Sequence, residues 1–217
     1  MRGTFLSIFL LSGGLLASCG TGSGPEAEGG ADSTAAAPTE QPSAPAAWAA
    51  RFEAAKLPAD FDAAFIERHR ETQGEALDFE QASQLVDVTD WVVVDAEGTP
   101  VLGVELTPLY LYPAKNGMSL GLFRMKDERV AAAATILRFF LCTYDAQGNF
   151  LGQVEVAADI DAGVMTEKLS SRLDAEFQLF QDYVSKELDP DGKELGTEES
   201  ESMLMLTDEG SFELVAG

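Results

Sequence analysis

TILRFFLCTYDAQGNFLGQVEVA, residues Thr135 to Ala157, is the stretch on which the fold turns. Its first ten residues are mostly β-branched, aromatic or aliphatic, too short and too uniformly apolar for an amphipathic surface helix. Asp145-Ala146-Gln147-Gly148 then interrupts, and Phe150 to Ala157 resumes an apolar run. An aspartate that opens a turn can accept backbone N–H bonds, and a glycine three residues on takes a positive φ at no steric cost. The combination predicts a hairpin closed by a type I turn with a G1 bulge.

The same device recurs on both sides. Trp91 to Asp95, the turn Asp95-Ala96-Glu97-Gly98 and Val101 to Leu106 read as a second hairpin. Met203 to Leu206, Thr207-Asp208-Glu209-Gly210 and Phe212 to Val215 read as a third. No β-α-β alternation appears, so a parallel sheet is not expected. Helix is expected before residue 90. Trp48, Phe52 and Ala55 share a face in Ala46 to Lys56, which Leu57-Pro58 ends. Phe61, Phe65 and Ile66 mark a short helix whose end is the charged stretch Glu67 to Glu71. Asp78 can cap a helix through Val86, with Gln81 where a capping box needs it. Thr166 to Leu188 fits two templates, because Leu173, Ala175, Phe177 and Leu179 alternate while Leu169, Leu173, Phe177, Phe180, Val184 and Leu188 recur at three or four. The helical match is longer and predicts a helix over 166–188. Glu187 to Glu201 carries seven carboxylates with Pro190, Gly192 and Gly196, and reads as an acidic loop. The expected fold class is therefore α+β, an antiparallel sheet of hairpins packed against N-terminal helices and the 166–188 helix.

At the other end of the chain, Arg2 precedes an apolar run from Phe5 to Leu16, the pattern of a secretory signal. The run is shorter than the roughly 20 residues that cross a hydrocarbon core in helix. It closes on Leu16-Ala17-Ser18-Cys19, which resembles the lipobox of bacterial lipoproteins. That resemblance implies cleavage before Cys19, a diacylglycerol on its thiol, and a place in the cell envelope. Gly20 rather than aspartate next to the cysteine leans toward the outer membrane where the cell has one. Thr21 to Pro45 is built of small and polar residues with no large apolar side chain, and reads as a flexible tether with a span on the order of 25 to 30 Å. The organisation read from the sequence is a signal at 1–18, a lipidated tether at 19–45 and one globular domain at 46–217, its part at 46–88 helical and its part at 90–217 β-rich with one helix. The hairpin from Phe139 to Gly152 is also similar to one in bacterial envelope lipoproteins, and no activity comes with that likeness.

Charge narrows the function. The chain carries 14 basic and 37 acidic residues, a formal net charge of -23. Removing 1–18 takes away one basic residue, Arg2, so -23 becomes -24. Nucleic acid is thereby excluded as a partner, since phosphates need a basic face, and the repulsion favours a soluble monomer. Only Cys142 remains beside Cys19, and within its apolar run it reads as a core residue. His69, the single histidine, lies between Arg68 and Arg70 and reads as a surface imidazole, which leaves Ser-His-Asp and Cys-His chemistry without a placed base. Zinc would lack ligands. Asp159-Ile160-Asp161-Ala162-Gly163 and Asp189-Pro190-Asp191-Gly192 offer oxygens for calcium, yet neither continues to the glutamate of an EF-hand, and both read as turns. No cofactor is expected. Two functions stay open: a non-catalytic module, with Tyr110, Tyr112 and Phe123 as candidate contacts to an envelope protein, and a hydrolase that uses a carboxylate pair on an envelope or extracellular polymer. A cleft with convergent carboxylates would favour the hydrolase.

Overall fold

The computed structural model describes residues 48–71, 74–127 and 134–215. A 3-10 turn at Ala49–Arg51 leads into strand β1 (Glu53–Ala54). Strand β2 (Ala59–Phe61), helix α1 (Ala63–His69), helix α2 (Phe79–Ser83) and a second 3-10 turn at Thr89–Trp91 follow. Strands β3 (Val92–Val94) and β4 (Pro100–Leu102) pair only with each other. Then come β5 (Val104–Pro113), β6 (Ser119–Asp127), β7 (Thr135–Tyr144), β8 (Phe150–Asp161), β9 (Met165–Leu173), β10 (Gln178–Leu188), β11 (Glu194–Leu206) and β12 (Phe212–Leu214). These eight lie side by side in chain order, each antiparallel to the next. Strand β1 adds in parallel to β5.

The central strands are buried on both faces, and their alternation shows how. Along β6 and β7, Leu120, Leu122, Leu137, Phe139 and Leu141 join one apolar cluster, while Phe123, Met125, Phe140, Cys142 and Tyr144 join another. The first cluster also holds Phe61 of β2 and Phe65 of α1 and takes Leu173, Leu179 and Leu206 from β9, β10 and β11, so the sheet curls over its own core. The second is covered by α2 and the segment up to β4, through Leu77, Ala82, Leu85, Val86 and Trp91. Tyr144 Oη donates to the Leu85 carbonyl at 2.6 Å and fastens that cover to the sheet. Each of these fully buried aliphatic or aromatic side chains is worth about 1.5 to 3 kcal/mol of transfer free energy, so most of the stability resides in this double-sided centre.

The sheet splits between β8 and β9. Their pairing runs only from Ala158↔Leu169 to Asp161↔Thr166, after which β2 takes up Ser171 to Leu173 in place of β8. Helix α1 follows directly. Asp62 accepts from Phe65 N at 2.8 Å and sets its start, and Phe65 and Ile66 face the core.

The expected α+β architecture is not what forms. The protein is mostly β, and helix in the described residues is confined to the seven residues of α1, the five of α2 and single 3-10 turns. Asp78 and Gln81 do form a reciprocal capping box, but α2 stops at Ser83 rather than Val86. Instead of a helix through Lys56, the chain turns once and becomes β1, because Trp48 and Phe52 reach Tyr144 and Phe123 on the sheet rather than packing along a helix of their own. The 166–188 segment is the β9–β10 hairpin, turned at Asp174 to Phe177. Most of the expected acidic loop is strand β11. The three hairpins read from aspartate or threonine and glycine are present.

At the Asp145 turn, Gly148 has φ 88, and a Cβ built there would overlap Nε1 of the Trp48 indole. Gly148→Ala should therefore lower stability by about 1 to 3 kcal/mol, from backbone strain and displacement of the indole together. A urea melt checks it. An unchanged midpoint would mean that Trp48 leaves its seat on Tyr144 freely.

Candidate interaction surface

Strands β9, β10 and β11 outrun the core. Their near ends supply Leu173, Leu179 and Leu206, whereas Glu194 to Glu201 is exposed at every residue. Strand β11 pairs with β10 along its length, but β12 covers only Leu204 to Leu206, with one further bond from Val215 N to the Met203 carbonyl. Among the described residues, Glu194 to Ser202 is thus a sheet edge. The bond to Met203 shows which backbone groups face outward. Successive residues of a strand point their N–H and C=O to opposite sides, so the groups of Thr197, Glu199 and Glu201 point away from β10.

This edge is strongly negative. Glu198, Glu199 and Glu201 stand along it, and Asp182 of β10 lies directly opposite Glu201, a like-charge pairing that weakens a sheet. Lys186 Nζ meets Glu194 at 2.8 Å; its ammonium and the Thr197 hydroxyl hold that carboxyl below the usual range. Toward the core, Phe180 pairs with Met203, and Phe180 and Met205 are each about 40 % exposed. Val164, Met165 and Leu195 are exposed around the far end.

The second polar constellation is buried. Arg124 of β6 is 2 % exposed; its Nη1 donates to Glu105 at 2.5 Å and its Nη2 to the Arg70 carbonyl at 2.9 Å, just past α1. His69 belongs to this group and is not the surface imidazole its charged flanks suggest. Its ring packs on Phe65, with centroids 4.6 Å apart, and Tyr110 Oη lies 3.4 Å from Nε2. The helical phase was the overlooked signal, since His69 lies one turn after Phe65 on the inward face. Burial, with the Arg68 and Arg124 charges, holds His69 below its ordinary value of 6.5. Below that value the unfolded chain then binds more protons than the folded one, so stability falls as pH drops. Stability should therefore decline more between about pH 7 and pH 5 in the wild type than in His69→Asn. Chemical melts at the two pH values test this, and equal declines would show that His69 does not drive it.

A cleft of about 290 Å³ opens where the sheet splits, lined by Asp62, Glu67, Arg70, Asp159 and Lys168. Its carboxylates already have structural tasks. Asp62 caps α1, and Glu67 and Asp159 meet Arg70 at 3.0 and 2.5 Å. Glu155 of β8 is the carboxylate that sequence reasoning missed. Burial pushes it up against the opposing pull of Arg138, 3.0 Å away. Glu167 reaches the same arginine only at 3.9 Å. Cys142 is fully buried, and burial pushes its thiol well up, away from the reactive thiolate. Tyr112 and Phe123 are core residues, and Tyr110 lies half-buried against His69. The two aspartate motifs are turns: Asp161 accepts from Gly163 N, and Asp189 from the amides of Asp191 and Lys193. Among the described residues no cluster of three or more His, Cys, Asp or Glu is placed to hold a metal ion, and no helix is long and apolar enough to cross a membrane. The signal, Cys19 and the tether lie outside the described residues.

Comparison with known proteins gives no match: no family model fits the chain, and no curated protein or solved structure is significantly similar to it.

Proposed function

We propose that the chain is a lipid-anchored, monomeric protein of the cell envelope whose β domain binds a partner protein and carries out no chemistry of its own. The extension of β9 to β11 beyond the core carries this reading. Eight successive exposed residues of β11 bury nothing, so core stability does not account for their strand length. The acids lining the cleft are held by a helix N-terminus and by Arg70, which favours binding over polymer hydrolysis. The lipid on Cys19 and the tether would present the domain within the envelope, at the outer membrane in a cell that has one.

Site-specific photo-crosslinking in native membranes tests it. A crosslinking side chain at Ser200 should give a discrete protein adduct, while one at Glu97, in the β3–β4 turn, should give none. Absence of adducts from Ser200 and from every other exposed position tried would sink the binding reading.

A further inference from the structure

The free edge of β11 has both a shape and a sign, and together they specify an occupant. We infer that Glu194 to Ser202 accepts an added strand, an extended segment of a partner protein with lysine or arginine at alternate positions. The inference rests on the binding reading above and names the partner's chemistry.

A sheet edge offers a row of unpaired N–H and C=O groups that an extended peptide can complete. Here the outward groups are those of Thr197, Glu199 and Glu201, in line with the Met203 carbonyl that already receives Val215 N. The chain's own β12 occupies the last three positions of β11, Leu204 to Leu206, so an incoming strand on Glu194 to Ser202 would continue its line antiparallel to β11. Nine residues of edge give roughly 30 Å of pairing at about 3.4 Å per residue.

Charge selects among occupants. Glu199 and Glu201 share one face of the strand with Asp182 opposite Glu201; the register shift at Glu187/Leu188 brings Glu194 to that face too, where it meets Lys186 and Thr197, and Glu198 lies on the other. A second copy of this chain would bring its own glutamates against these, and like charges directly opposite are unfavourable. Charged edges of this kind keep sheets from pairing with themselves. A basic strand instead neutralises Glu199 and Glu201 and relieves their repulsion with Asp182. At its core-side end such a strand would pass the half-buried Met203, opposite which Phe180 of β10 is exposed and offers a contact for one apolar residue.

The test uses the full chain in nonionic detergent with two labelled octapeptides, one alternating Lys and Thr and one alternating Glu and Thr. Fluorescence anisotropy reads affinity, and residue-resolved amide exchange reads the backbone. The lysine peptide should bind and the glutamate peptide should not. Binding should slow exchange at Thr197, Glu199 and Glu201, while Glu198 and Ser200, bonded to β10, should change little. Thr197→Pro removes one outward N–H without altering charge, at an edge position that tolerates proline, and should weaken binding by about tenfold or more. Glu199→Lys combined with Glu201→Lys should transfer the preference to the glutamate peptide. The exchange pattern in the wild type stands even if a variant folds poorly. No binding of the lysine peptide, or binding without new protection at those three amides, overturns strand addition. Ser200 adducts in native membranes would then leave the binding module intact with a different mode of contact.

Discussion

Replacing Arg124 with alanine is expected to destabilise the domain by about 3 to 5 kcal/mol, the range for breaking one side of a buried ion pair. The side chain is among the largest that are fully buried, and it joins three things at once. It neutralises Glu105, caps the carbonyl of Arg70 just past the end of α1, and fills the position along β6 that follows Leu120 and Leu122 on the inward face. Truncation leaves an unpaired carboxylate, an unpaired carbonyl and a cavity. Glu105 is a third exposed and can recover some hydration, so the lower end of the range applies if the strand ends relax. Arg124→Met, which retains the stem, should lose less by the cavity contribution. Urea denaturation with an unchanged m-value measures both. A loss below about 1 kcal/mol for the alanine variant would place the pair among ordinary surface bridges.

The elements that were legible in the sequence are those whose turns carry their own chemistry. Asp145 accepts from the amides of Gln147 and Asn149, and Gly148 supplies the positive φ. The β9–β10 turn is built the same way, with Asp174 accepting from Glu176 and Gln178. Its fourth residue is Phe177 at φ 64, where the other turns have glycine. A phenylalanine in that conformation is unfavourable by itself, and the residue stays because its ring packs on the first core cluster. One side chain thus removed the turn signal and supplied an apolar residue at helical spacing, and the longer but wrong period prevailed.

Strand β11 was hidden for a different reason. Its charge density suits a loop in isolation, but antiparallel pairing with β10 supplies backbone bonds that local composition does not announce. The surface inferred to bind a partner therefore lies where the sequence suggested no structure. Arg124 had a readable sign that went unused: a cation in the apolar phase of a strand must be paired or functional. His69 shows the converse, since its neighbours in sequence are charged while its neighbours in space are aromatic.

On the proposed anchor, Cys19→Ser should abolish lipid attachment altogether. A serine hydroxyl stays protonated at neutral pH, whereas a thiol supplies an appreciable fraction of strongly nucleophilic thiolate. Metabolic incorporation of a fatty-acid analogue should fall to background, and the chain should persist at its precursor mass. Label retained by the serine variant would refute the assignment. On the proposed reading the lipid on Cys19 is the sole attachment, so the effect should be complete. Stable anchoring takes two acyl chains, or one chain with a polybasic patch. With 14 basic against 37 acidic residues the chain has no excess of positive charge to help, and anionic headgroups repel it. The run from Phe5 to Leu16 is too short to serve as a spanning helix. A chain beginning at Ala46 should for the same reason remain in solution beside vesicles rich in anionic lipid. Sedimentation with those vesicles at low ionic strength would reveal a second attachment that the charge argument excludes.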